Sequence, residues 1–381
     1  MNLRLGADQD LLRRTVREFA EAEIRPHVME WDEAQAFPAG LVPKLAAMGL
    51  MGMQVSEEDG GAGLSAVDYC IAIEELARVD PSVALSVAAH NGLAVAHLAA
   101  FGTARQKERF LRPLVRGEKL GAWALTEAEA GSDAAAMRTT ARRDGDDWVI
   151  NGTKHFITHG RIAEVIVVMA VTDPAAGHHG ISAFVVERGV PGLEAGRKEN
   201  KLGMRASDTS EVRFDGVRVG PDALVGAEGQ GFVDTLRVLE AGRIGIAALA
   251  VGLATGALDT AVAYAKARHQ FGRPIAAFQA IRWKLADMAS RVDAARLLTY
   301  RAAWLRDRRD AQISLASSIA KLYASEIAVR AAEECVQIHG GYGFVKDYAA
   351  EKFFRDVKLC TIGEGTSEIQ RLVIARRLLG H

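Results

Sequence analysis

The sequence predicts an α+β protein in three parts: a helical N-terminal domain, a middle antiparallel β domain and a C-terminal four-helix bundle. Two observations predict it. Apolar residues recur at helical spacing up to about residue 118 and again after about residue 231, and alternate at strand spacing between them. The long C-terminal periodic segments are joined by connections short enough to require antiparallel neighbours. The expected domains are therefore 1–118, 119–231 and 232–381.

In the first part, Leu11, Leu12, Val16, Phe19 and Ala20 fall on one helix face, with Pro26 as a stop. Similar periods fill 66–79, 83–101 and 105–115. Gly60, Gly61 and Gly63 break the chain between helices without forming G-x-G-x-x-G after a strand, which disfavours a dinucleotide fold. In the middle part, 139–143 and 148–151 flank an Asp144-Gly145 turn, and Asn151-Gly152 reads as a second hairpin turn into 154–158. Segments 165–171, 181–186 and 211–219 add strands. Helical periods then return in 232–268, 277–305 and 313–338, with a shorter fourth helix in 368–379. The most apolar stretch, 244–258, falls short of the ~20 residues that span a bilayer and reads as a buried helix.

Composition narrows the class. Against 48 acidic side chains stand 47 basic ones, which leaves no electrostatic footprint for nucleic acid or an anionic membrane. With 25% charged and 49% hydrophobic residues the chain is not disordered. Cys70, Cys335 and Cys360 are too few and too scattered for a disulfide framework or a thiolate metal cluster, so a reducing compartment is expected. The first residues carry Asp8 and Asp10 and no basic-then-apolar run, so no presequence is expected and the bacterial cytoplasm is the expected location.

Three loops offer chemistry. Ser367 and Gln370 form an S-x-x-Q pattern, which predicts a capping box and a helix whose positive end receives Gly363-Glu364-Gly365-Thr366. Glycines on both sides of Glu364 let the backbone bend and approach a ligand, although an exposed turn glutamate is the commoner outcome of such a loop. The small residues and hydroxyls of 125–133 suit either an ordinary loop or a cradle for a ring or phosphate. Arg268, at a helix end, reads as a phosphate partner or a surface cap. The pairs His90/His97 and His155/His159 lack nearby Cys or carboxylate ligands, so no metal is expected. Neither G-x-S-x-G nor a phosphate-binding G-x-x-x-x-G-K-[ST] occurs.

Five segments together resemble the acyl-CoA dehydrogenase family, in register along essentially the whole chain. They are 123–133 (WALTEAEAGSD), 150–160 (INGTKHFITHG), 268–272 (RHQFG), 337–343 (QIHGGYG) and 362–371 (IGEGTSEIQR). The resemblance implies the three-part fold above, as a homotetramer with one FAD per subunit. It implies dehydrogenation of an acyl-CoA to a trans-2-enoyl-CoA, with electrons passed to an electron-transfer flavoprotein. Glu364 matches the catalytic base, which lifts the α-proton while a hydride leaves the β-carbon for flavin N5. Loss of water around it would raise its pKa towards neutrality. In the family the thioester oxygen is held by the base residue's backbone N–H and a ribityl hydroxyl.

By the same matching, Trp123, Leu125 and Thr126 are cofactor-binding positions, the last two at the flavin pyrimidine edge. Gly131 and Ser132 would lie near the flavin and the CoA arm, and Phe156 and Thr158 would cover the ring near N5. Arg268, Gln270 and Phe271, with Gln337 and Gly341, would bind the adenine-diphosphate part of an FAD held mainly by a neighbouring subunit. Thr366 and Glu368 would close around the FAD. On the substrate side stand Ser132, Arg243, Gly363 and Gly365.

Some relatives place the base immediately before the residue matching Arg243; here that residue is Gly242, which leaves Glu364 as the candidate. Ala128 replaces a common proline and Phe156 a common tryptophan. Gly363 stands where straight-chain members often carry tyrosine, which widens the space beside the α-carbon and favours short or branched acyl groups. The helix around Ser86, Ala89 and His90, the expected pocket floor, does not fix chain length. Rival readings are an oxidase or a carrier-protein thioester dehydrogenase on the same fold, and a non-catalytic flavoprotein subunit.

Overall fold

Helices form where the apolar period meets a cap. The helix α4 (Ala66–Val79) starts behind Ser65, whose hydroxyl accepts the Asp68 N–H at 3.1 Å while Asp68 accepts the Ser65 N–H at 3.0 Å. Asp80 caps α5 (Pro81–Ala89) by accepting the Ser82 N–H, with Pro81 in the first turn. The structure, a computed structural model, describes residues 4–380. Before α4 come α1 (Ala7–Phe19), α2 (Val28–Ala34) and α3 (Val42–Ala47); after α5 come a π-helical turn, His90–Val95, then α6 (Ala96–Phe101), α7 (Ala104–Gln106) and α8 (Arg112–Val115). Val16 on α1 and Ala20 just past its end are buried as expected, but Leu11 faces outward.

The middle domain is a mixed sheet, not an antiparallel one. Its strands are β1 (Gly121–Ala124), β2 (Thr140–Asp144), β3 (Asp147–Thr158), β4 (Val165–Val171), β5 (Ile181–Glu187), β6 (Leu193–Lys198), β7 (Thr209–Val219) and β8 (Leu224–Val225). The order is β6-β7-β3-β2-β4-β5-β8, and β1 runs parallel to β4 with Gly121 opposite Val165. Thr140 of β2 also pairs in parallel with Val171. Both short strands thus share one edge of β4, because β5 lines the other along its whole length. The chain between Ala124 and Thr140 has to leave the sheet, and that excursion is the 125–133 loop. Asn151-Gly152 is not a hairpin turn either. It lies inside β3 at a break in register, where a Cβ on Gly152 would come 2.4 Å from the Thr139 hydroxyl, and Asn151 instead accepts the Gly216 N–H at 2.8 Å. The strands β1, β6 and β8 carry too little alternation to be foreseen: β1 is buried throughout, β6 is mostly polar, and β8 has two residues.

The bundle consists of α9 (Gly231–Ala267), α10 (Gln279–Asp307), α11 (Ile313–His339) and α13 (Ser367–Leu379), with the unforeseen short α12 (Ala349–Asp356) before the last. The connection after α9 is a small hairpin of β9 (His269–Gln270) and β10 (Arg273–Pro274). At 37 residues, α9 is the axis of the molecule: it packs on α4, α10 and α11, and the whole of its 244–254 stretch is buried. Two helical runs, Pro81–Phe101 and Gly231–Ala267, are long and apolar enough to cross a membrane, but both sit mostly inside the fold. One core joins all three domains, from Val16 through Ile150 and Phe184 to Cys360.

Candidate active site

The turn before α13 places the glutamate. Glu364 takes a left-handed backbone, φ 53°, and Gly365 follows at φ 94°. The expected capping box is absent: Thr366, not Ser367, is the N-cap, and its hydroxyl accepts the Ile369 N–H at 3.3 Å. Gln370 is drawn elsewhere, donating to the carbonyl oxygens of Gly365 at 3.0 Å and Glu364 at 3.4 Å. Two consecutive left-handed residues leave carbonyls that the helix cannot satisfy, and the Gln370 amide takes them. Lys321 of α11, with no exposed surface, donates to the Gly365 carbonyl at 2.6 Å.

The Glu364 side chain turns inward onto α9. A Cβ built on Gly242 would lie 2.0 Å from Glu364 Oε2, so the carboxylate occupies space that only a glycine leaves. Oε2 is closed off from solvent and has no hydrogen-bond partner among the described residues. Burial pushes the carboxyl up to about 7, with the positive charges of Lys321 and Arg243 pulling the other way. The Tyr69 hydroxyl lies beside the same glycine-lined face, 2.6 Å from a Cβ on Gly245 and 3.4 Å from one on Gly92. Arg243 points to α11, its Nη1 donating to Ser318 at 3.3 Å, and its Nε is buried without a hydrogen-bond partner among the described residues.

The π-helical turn His90–Val95 links this face to the sheet. Gly92 lies against Gly242 and Tyr69, while a Cβ on Gly121 of β1 would meet Ala94 at 2.8 Å. His90 accepts the Gly121 N–H at 3.1 Å, and His97 lies 3.3 Å from the Trp123 indole N–H, which donates to it. Burial takes these histidines down to about 3 and about 4, so both are neutral, and each joins the helices to β1 through a hydrogen bond. Among the described residues no three His, Cys, Asp or Glu side chains gather as a metal site. Beyond β1, the 125–133 loop is tied down by Lys154, which donates to the Leu125 carbonyl at 3.0 Å and to Glu127 at 2.8 Å. Glu127 also accepts the Arg138 and Thr139 N–H groups, and the His155 N–H holds the Thr126 carbonyl at 2.8 Å.

Profiles of the acyl-CoA dehydrogenase N-terminal, middle and C-terminal domains match residues 6–118, 122–217 and 229–379. A short-chain-specific acyl-CoA dehydrogenase of Clostridium acetobutylicum is 44% identical, over 99% of this chain and 100% of its own. The chain belongs to the acyl-CoA dehydrogenase family. A mitochondrial short-chain-specific acyl-CoA dehydrogenase of Bos taurus is 46% identical over 99% of this chain and 92% of its own. The solved butyryl-CoA dehydrogenase of Megasphaera elsdenii superposes with a TM-score of 0.97 at 41% identity, covering 100% of both chains.

This dehydrogenase is an FAD-dependent flavoprotein oxidoreductase, and its residues fit the cofactor. Nothing would meet a Cβ on Gly131, and Gly131 and Ser132 are exposed, so the loop presents open backbone. Phe156 is 64% exposed on a left-handed backbone, φ 57°, an aromatic face held out for a planar partner, with Thr158 half-buried nearby on β3. At the far end of α9, a cavity of about 520 Å³ is lined by Arg268, Gln270 and Gly341, together with Tyr264, His339 and Tyr342. A guanidinium, an amide, a bare glycine backbone and stacked rings suit a dinucleotide's phosphates and base. Phe271 projects beside it, 91% exposed, whereas Gln337 is exposed but lies outside the lining. The Thr366 hydroxyl is spent on capping, and Glu368 is exposed in the first turn of α13.

Sequence reasoning missed Lys321, Tyr69, Lys154 and Glu127, and gave Gln370 a capping role in place of its bonds to the Glu364 and Gly365 carbonyls. A signal for Lys321 existed: it follows Ser314, Ser317 and Ser318 at helical spacing, a charge on an otherwise buried small-residue stripe.

Proposed function

We propose that this dehydrogenase oxidises a short-chain acyl-CoA, with butyryl-CoA as the reference substrate, to the trans-2-enoyl-CoA, with Glu364 as the base. The observation that carries this is the partnerless, buried Oε2 on a left-handed turn against Gly242. A carboxylate with one oxygen closed to solvent and without a hydrogen bond among the described residues is held ready for a proton, and near neutrality it is basic enough to take one from a polarised α-carbon. FAD, when bound, supplies the acceptor for the hydride that leaves the β-carbon. The glycines on either side, Gly363 with nothing closer than 3.5 Å to a Cβ and Gly365 on a left-handed backbone, let the turn offer the base's backbone N–H to the thioester oxygen.

Short acyl groups are favoured by the relatives, two of which are short-chain-specific dehydrogenases. The helices pack closely beside the carboxylate: a Cβ on Gly92 would lie 4.0 Å from the Gly242 Cα, with Tyr69 buried alongside. Position 363 remains open: a Cβ there would meet nothing closer than 3.5 Å. In this reading Trp123, Leu125, Thr126, Gly131, Ser132, Phe156 and Thr158 surround the flavin. Arg268, Gln270, Phe271, Gln337 and Gly341 receive the dinucleotide end of a second subunit's FAD within a homotetramer. Thr366 and Glu368 stand where the flavin meets α13, and Ser132 and Arg243 flank the CoA arm. The acceptor is an electron-transfer flavoprotein, and the three buried free thiols accord with a reducing cytoplasm.

The test is anaerobic bleaching of the FAD-loaded protein by a panel of acyl-CoA esters. Butyryl-CoA should bleach it fastest, and Glu364→Gln should retain FAD while bleaching at least ~100-fold more slowly. Wild-type rates in Glu364→Gln would remove the base assignment. Rapid oxygen consumption would make the protein an oxidase, bleaching only by a carrier-bound acyl chain would move the substrate, and no bleaching by any thioester would leave a binding subunit.

A further inference from the structure

Lys321 is buried in the bundle, and among the described residues its one hydrogen bond goes to the carbonyl of Gly365, the residue next to the base. A buried ammonium with a single neutral acceptor is costly unless an anion is near. The groups facing it are the Cys360 thiol, Glu364, Glu368 and the like-charged Arg243. Glu364 in turn is faced by Lys321 from α11, Arg243 from α9 and Tyr69 from α4. Arg243 is already engaged with Ser318, one turn before Lys321 on α11. Lys321 is thus the cation tied to the base's own loop.

We infer that Lys321 is the positioning residue of the base: it pins the left-handed Glu364-Gly365 turn through the Gly365 carbonyl and supplies the positive charge that keeps the buried carboxylate ionised in the resting enzyme. The inference rests on the reading of Glu364 as the base. Gln370 holds the same carbonyl with a neutral amide, so geometry alone does not require a lysine there. What the amide cannot supply is charge. Burial without a neighbouring cation would carry Glu364 further above neutrality, and a protonated base is inert. The lysine itself is brought down by burial to about 8, which leaves it mostly protonated at neutral pH.

The experiment compares pH profiles of butyryl-CoA bleaching in FAD-loaded wild-type, Lys321→Gln and Lys321→Arg proteins. Lys321→Gln keeps a donor and loses the charge. Its acid limb should move up by roughly one unit or more, with the loss at pH 6.5 in the maximal rate rather than in the half-saturating substrate concentration, and with recovery at pH 9. Lys321→Arg should restore the limb towards the wild-type position. A reciprocal measurement needs no change at Lys321: in ε-13C-lysine-labelled Glu364→Gln, one lysine signal titrating near 8 should shift to lower pH. Superimposable profiles in wild-type and Lys321→Gln, or lysine signals unmoved in Glu364→Gln, would overturn the inference. A wild-type protein that no thioester bleaches would instead sink the proposed function, so the two failures are distinct.

Discussion

At the residue scale the site depends on a missing side chain. Glu364 Oε2 sits where a Cβ at 242 would be, 2.0 Å away. Gly242→Ala should therefore separate stability from rate. In the middle of α9 the replacement removes a flexible residue and should stabilise the helix by about 0.5–1 kcal/mol, offset in part by the displaced carboxylate. Bleaching by butyryl-CoA should fall at least ~10-fold, because the carboxylate has to swing off its line. A variant that bleaches at the wild-type rate would show that the carboxylate has another resting place. The pH dependence has a fixed sign: a base must be ionised to act, so wild-type rates rise through about pH 7 and level off above it. From the sequence, Glu364 and its two glycines stood out, but the surroundings that suit it to the proposed role of base did not. The neighbour it packs against, Gly242, is more than a hundred residues away in the chain, and no local pattern signals that two such positions meet.

At the element scale the 125–133 loop behaves as part of the sheet. Lys154 has no exposed surface and reaches from β3 to both the Leu125 carbonyl and Glu127. Burial brings Lys154 down to about 8; burial also works to raise Glu127, but the lysine outweighs it and holds that carboxyl low. Lys154→Met leaves a nearly buried carboxylate without its counter-charge, held only by the Arg138 and Thr139 N–H groups, and should destabilise the protein by about 3 kcal/mol. FAD should be lost at lower temperature in thermal unfolding followed by flavin fluorescence, and adding Glu127→Met should recover part of the loss. Unchanged FAD release would mean that the loop holds its shape without the lysine. The loop was legible as a motif, while its support was not: Lys154 reads as one more strand residue beside a supposed hairpin turn. The same limit explains α13. Ser367 and Gln370 carry the right letters for a capping box, yet the two left-handed residues before them compete for Gln370, and Thr366 caps instead. Local patterns locate an element to within a residue or two; which partner a polar side chain takes is a tertiary matter.

At the scale of the whole molecule, buried charges lock the three parts together. Lys352 of α12 lies 2.9 Å from Asp80 and 2.5 Å from Asp356, and Asp356 accepts the Met204 N–H of the middle domain. The helix–sheet–helix order was plain from periodicity, since long amphipathic stretches and alternating runs differ in period; these joints, between residues far apart in sequence, were not. What the joints hold still is α9. From Gly242, beside the base, to the end of α9 is about 25 residues, or about 38 Å at 1.5 Å per residue. The Arg268 cavity opens just past that end. On the proposed function, one FAD whose ring faces Glu364 would not span that distance, and the helix would act as a measuring rod that leaves the distant cavity to a different copy's cofactor. Dilution should then release flavin and dissociate the subunits at the same protein concentration, in sedimentation runs monitored at the flavin band, and Arg268→Ala should raise that concentration. Isolated subunits that stay fully yellow would mean that each copy houses its whole cofactor alone; otherwise, the yellow colour of the preparation is itself a gauge of assembly.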